Sequence, residues 1–141
     1  VMLVIEDLEQ TLFMDFPPAD EDPLKRLGVF VETRIAMLSD APFSLQLFFS
    51  DQLMQASGAE GVRRIREMEF RSLTFVRECM QEAAQKGLLK EGLYVPHALL
   101  IVFGAIMAAV SLQQHQGVDL LKEIQQKKHD LWQTIEDLIR R

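Results

Sequence analysis

Three histidines, one cysteine, 15 basic and 21 acidic side chains are the groups in this 141-residue sequence that could carry out chemistry. His97, His115 and His129 stand 18 and 14 residues apart. None has the i,i+4 partner with which a helix holds a metal ion. A di-metal helical bundle needs Glu-x-x-His on facing helices, and the sequence has no such pair. It also has no Gly-x-Ser-x-Gly elbow, Walker loop or dinucleotide fingerprint. Cys79 falls beside an apolar stripe deep in a helix, where a thiol acts as a small buried hydrophobe rather than a nucleophile. A lone cysteine forms neither an internal disulfide nor a cysteine-built zinc site. Arg63, Arg64 and Arg66 could gather an anion, but the i,i+4 pairs Arg63–Glu67 and Glu67–Arg71 fit a solvated helix face better. These residues predict no catalysis, no metal and no cofactor.

Charge narrows the field further. The net charge is −6, and residues 1–58 carry 3 basic and 10 acidic groups against 12 and 11 in residues 59–141. Binding to a phosphate backbone needs a basic surface that displaces counterions, so direct DNA or RNA binding by these residues is not expected. The longest apolar run, Ala98 to Leu112, is 15 residues with Gly104 and Ser111 inside it. A membrane-spanning helix needs about 20, so this run reads as a buried core or interface helix. No basic n-region followed by an apolar core opens the chain at Val1, and the expectation is a cytoplasmic protein.

The elements that carry these groups read as helices throughout. Val1, Val4, Ile5, Leu8 and Leu12 form one stripe over residues 1–14, which Phe16-Pro17-Pro18 ends. Asp22-Pro23 is a helix start, and Leu24, Leu27, Val31, Ile35 and Leu38 make a core stripe over residues 22–39. Phe30, Arg34 and Met37 run beside it. A third helix is expected from Asp40-Ala41-Pro42 to about Gln55. Ser57 and Glu60 fit a capping box that opens the longest helix, about residues 59–86, with Val62, Ile65, Met68, Leu73, Val76, Met80 and Ala83 apolar. Gly87 and Gly92 bracket a short connection to a helix over about 96–114. That helix is apolar all round: Leu99, Phe103, Ile106 and Val110 make a bulky face, and Ile101, Gly104, Ala105, Ala108 and Ser111 a small one. Over 119–140 the positions Leu121, Ile124, Lys128, Leu131, Ile135 and Leu138 form a coiled-coil-like seam with one lysine, widened by Leu120, Trp132 and Ile139. The pattern predicts a single all-α domain, a six-helix bundle spanning residues 1–141.

The order of these features resembles the C-terminal half of TetR-family transcriptional regulators. A capped, charged long helix is followed by Lys86-Gly87-Leu88-Leu89, then Tyr94-Val95-Pro96-His97, an apolar helix with small residues and a final amphipathic helix. Asp22-Pro23-Leu24 and Asp40-Ala41-Pro42 are similar to the family's usual starts of earlier helices. The family's Tyr-x-His-Phe signature belongs to its helix-turn-helix domain; Tyr94, the sole tyrosine, is followed by Val95-Pro96-His97 instead. The resemblance implies that the DNA-reading domain lies before Val1 and that residues 1–14 are the helix linking it to the body. It implies a homodimer in which residues 96–140 pair with a second subunit as a four-helix bundle. The preceding helices would enclose a small hydrophobic effector that controls DNA binding.

Candidate residues follow from the two faces. The interface candidates are Ile101, Gly104, Ala105 and Ala108 on the small face, with Leu121, Ile124, Leu131, Trp132, Ile135 and Leu138 from the seam. Phe30 and Met37 lie off their core stripe, Phe75 lies at the edge of the next, and Phe103 and Met107 point away from the small face. These five, with Phe49 and Met68 nearby, are the ligand candidates, and Arg34, Gln46 and His97 could orient a polar group. Two other readings stay open: an oligomerisation or adaptor module with a solid core and no ligand, and a membrane-associated helical protein.

Overall fold

The computed structural model describes residues 6, 10, 22–40, 58–114 and 118–141. Among them lie five helices: α1 (Pro23–Asp40), α2 (Gly58–Gln85), α3 (Val95–Gln114), α4 (Val118–Gln126) and α5 (Lys128–Ile139). Residues 41–55 of the expected third helix lie outside the described residues, as does the segment 1–14 apart from Glu6 and Gln10, both helical.

α1 is the central element and touches each of the other four. Its start is built by Asp22, whose Oδ1 accepts hydrogen bonds from the backbone N–H groups of Leu24 (3.0 Å) and Lys25 (3.4 Å). Two of the amides a helix N-terminus leaves open are thereby satisfied, and Pro23 has none to satisfy. The expected stripe then turns inward: Leu24, Leu27, Val31 and Ile35 are fully buried. On the same helix Gly28 lies under the indole of Trp132 from α5; a methyl at position 28 would stand 2.5 Å from the indole Cδ1.

α2 buries Ile65, Met68, Phe75, Val76, Cys79, Met80 and Ala83, while Arg63 on its wet side pairs with Glu60 and Glu67. It ends as the sequence predicts, with Gly87 in the left-handed region (φ +70°). The Leu88 amide then reaches the Ala83 carbonyl (2.9 Å) and the Gly87 amide that of Ala84 (3.1 Å). This six-to-one closure favours glycine because any side chain there is strained.

The final helix differs from the expectation. The single helix predicted over 119–140 is two, separated at Lys127, whose φ of −127° and ψ of 39° leave the helical region. The break falls beside Lys128, the one charged position in the predicted seam. Interrupting the helix there frees α5 to choose its own inward face, and that face is Trp132, Ile135 and Ile139. Leu138, assigned to the seam, is 57 % exposed. Gln125 at the end of α4 fastens this turn to α1 by donating to the Ile35 carbonyl (2.9 Å).

The C-terminal residues close the bundle. Leu89 and Arg140 form an antiparallel bridge: the Lys90 amide donates to the Ile139 carbonyl and the Arg141 amide to that of Leu88, each at 2.8 Å. The Arg140 guanidinium binds Glu136 (2.9 Å) and the other oxygen of Asp22 (2.7 Å). Burial opposes ionisation of Asp22, but the Arg140 hydrogen bond and charge and the two capping amides outweigh it, holding the carboxyl below its ordinary value.

Candidate functional site

Two regions carry the residues that sequence reasoning singled out. The first is the seam between α1 and α2. Phe30 and Phe75 are buried there with ring centroids 5.1 Å apart in a tilted arrangement. The Arg34 guanidinium lies over the Phe30 ring at 4.8 Å and that of Arg26 over the Phe75 ring at 5.3 Å. The four side chains form a continuous stack, arginine–phenylalanine–phenylalanine–arginine. Such placements use the negative faces of the rings, and they are worth more where water is excluded.

The stack follows from spacing. Residues 26, 30 and 34 recur every four positions and so share one face of α1. Phe75 meets them from α2, and Ser72, one turn before it, accepts a hydrogen bond from an Arg34 Nη (3.4 Å). Burial lowers the pKa of Arg34 to about 10, which leaves it a cation at neutral pH. The Nε of Arg26 is sealed from solvent and makes no hydrogen bond among the described residues. Arg26 also faces Cys79, whose thiol burial pushes up to about 11 despite that neighbouring charge. A thiol so protonated is a core side chain and not a nucleophile.

Of the ligand candidates, Phe30 and Phe75 thus meet directly, and Phe103 is half-buried against the same core. Met68 is buried in α2 outside that cluster. Met107 departs from the expectation: it is 50 % exposed and lies on the open side of α3, away from Phe30 and Phe75. Phe49 and the Met37 side chain lie outside the described residues. An open groove of about 1050 Å³ runs along the first half of α2, lined by residues that include Val62, Arg66 and Phe70, and the described ligand candidates do not line it.

The second region is the outer face of α3. Ala98, Val102, Ile106 and Ala109 point into the core, and the opposite arc presents Leu100 (71 % exposed), Ile101, Gly104, Met107, Ala108 and Ser111. From Leu100 to Ser111 the face is apolar or small, and a methyl on Gly104 would meet nothing within 4 Å. Three of the four predicted α3 interface residues, Ile101, Gly104 and Ala108, share this face, while Ala105 is half-buried on the core side. Leu100 and Met107 were not among them, because a helix apolar on every side gives periodicity nothing to distinguish.

The seam candidates divide. Leu121, Trp132 and Ile135 are buried within the chain itself, so their apolar area already serves the core. Ile124 and Leu131 are half-buried, and Leu138 faces solvent, as does Leu120. The described residues contain no group of three or more histidine, cysteine or acidic side chains able to hold a metal ion, and no helix among them is long and apolar enough to cross a membrane. Compared with known proteins, the chain matches no family model, no curated protein and no solved structure.

Proposed function

We propose that this chain is the effector-binding and dimerisation body of a TetR-like transcriptional regulator, with DNA contact made by a helix-turn-helix domain outside these 141 residues. The observation that carries the reading is the outer face of α3. Leu100, Ile101 and Met107 stand exposed around Gly104 and Ala108, and an apolar strip with small residues at its centre suits close approach by another helix. Two-fold pairing would set this face against its own copy, with Leu120 and Leu138 as further exposed apolar area. The long charged helix, the Gly87 turn and the apolar helix after it support the family reading through their order along the chain.

Sedimentation equilibrium at micromolar concentration tests this. The expected result is a dimer that Gly104→Arg converts to a monomer with unchanged helix content, because the protomer itself leaves room at position 104. A parent protein that is monomeric there overturns the reading. A second reading, an oligomerisation module with a solid core, draws on the direct contact between Phe30 and Phe75. It predicts the same dimer but no uptake of small apolar molecules, which calorimetry with such molecules decides.

A further inference from the structure

The outer face of α3 is built symmetrically about its glycine. Between His97 and Ser111 the exposed residues fall in pairs equally far from Gly104: Ile101 with Met107, Leu100 with Ala108, and His97 with Ser111. Helical spacing supplies the positions, but the residue types are specific to this chain. Leu100 and His97 are each matched by a small residue, and Ile101 by a flexible apolar one. Gly104 at the centre has open space where a side chain would stand. The 20 residues of α3 also include no Asp, Glu, Lys or Arg, in a chain where these make up 26 %. A two-fold axis brings each charge near its own like, so a face without charge meets its copy with no repulsion. The same lack of charge gives a foreign partner little to be selected by.

We propose that α3 pairs antiparallel with α3 of a second copy, crossing at Gly104, so that Leu100 of each protomer packs over the partner's Ala108. This rests on the reading of the α3 face as a self-contact, and it fixes the register of that contact. With the two-fold axis through Gly104, residues equally far from it lie level across the interface. Glycine then meets glycine, where no side chain holds the backbones apart. Ile101 meets Met107, whose unbranched chain fills uneven gaps. His97, its ring edge-on to Tyr94 with centroids 5.1 Å apart, comes beside the partner's Ser111 hydroxyl, and the two share a hydrogen bond. Neighbouring registers fit less well. An axis at Ala108 sends Leu100 past the end of α3 at Gln114, and an axis at Ile101 puts a branched side chain at the point of closest approach.

Disulfide formation in the full 141-residue chain reads the register directly. The native Cys79 stays silent, because burial pushes its thiol up to about 11. Under a mild oxidant Gly104→Cys should link to its own copy, since on the axis the two Cα atoms lie within the reach of a disulfide, about 7 Å. Leu100→Cys alone should not, because its copy stands about 12 Å away along the helix; combined with Ala108→Cys in one chain it should. A size swap gives an independent readout. Leu100→Ala and Ala108→Leu should each weaken the dimer about ten-fold in sedimentation, and together restore the parent affinity to within about three-fold. Self-linking of Leu100→Cys, absence of the two expected links, or a double swap weaker than either single change overturns the proposal. A dimer giving those results would defeat this register and spare the dimerisation reading, whereas a monomeric parent would defeat both.

Discussion

Gly28 and Gly104 are both glycines in the interior of a helix, where glycine is less favourable than alanine by roughly 1 kcal/mol. Their surroundings are opposite. Gly28 is buried on α1 beneath the Trp132 indole, so closely that a single methyl would overlap the ring. Gly104 is exposed on α3 with no atom near the place its side chain would occupy. One glycine is the socket of a contact made within the chain, and the other lies in the middle of an apolar face that none of the described residues covers. A helical glycine thus carries meaning only with its neighbours, and the same substitution at the two sites has opposite signs.

The covered side is the easier to break. Trp132→Ala removes the knob from the Gly28 socket and should cost about 3–5 kcal/mol in chemical denaturation, the range for a large buried aromatic. Gly28→Ala leaves the knob and fills the socket. Overpacking of about 1–3 kcal/mol outweighs the gain in helix propensity, so the net effect is destabilising. Asp22→Ala loosens the same side from a distance by removing both the cap of α1 and the partner of Arg140, for about 1–2 kcal/mol at neutral pH.

That last effect has a definite pH dependence. The Asp22 carboxyl in the folded chain lies below its ordinary value of 3.8, so its contribution is present above that pH. It declines as the pH falls through the folded value, where both states become protonated. The difference in Tm between parent and Asp22→Ala should therefore be constant near neutrality and narrow below pH 3.8. The smallest effect sharpens the other half of the comparison. Gly104→Ala should stabilise the protomer by up to about 1 kcal/mol, because the helix gains propensity and no neighbour is displaced. Destabilisation comparable to that of Gly28→Ala would mean that the α3 face is already covered.

Much of this arrangement was legible in the sequence where local chemistry decides it. Asp22-Pro23 announces the start of α1, Gly87 the end of α2, and Leu24, Leu27, Val31 and Ile35 the buried stripe, because caps, turns and periodicity act over a few residues. The break at Lys127 was not legible, having neither glycine nor proline to mark it. Its trace was Lys128 in an otherwise apolar seam, a charge that an unbroken helix would have carried along its core side. The heptad reading then placed Leu138 inward, whereas the actual face steps from Ile135 to Ile139.

The candidate site shows the same boundary. Phe30 and Phe75 were found as aromatics beside the core stripes, and they do meet. Arg26 was missed, although its four-residue spacing from Phe30 and Arg34 was visible; only the partner helix reveals that a guanidinium there lies on a ring. Met107 was assigned to the wrong side because α3 is apolar all round, and which arc faces the core is settled by the shape of α1 and α2.

The bond between Asp22 and Arg140 joins residues 118 apart in sequence. It bears on the order of events during synthesis. Helices form from local contacts as the chain leaves the ribosome, but the ion pair that completes the entrance to α1 has to wait until residue 140 has been made. Closing so long a loop carries an entropy cost that grows with the logarithm of its length, and contacts of this range slow folding. The Trp132 indole likewise reaches Gly28 only after the intervening helices have been made. Until then α1, which the other four described helices all touch, stands with its glycine socket empty, so among the described elements the central helix is made before the side chain that covers its glycine.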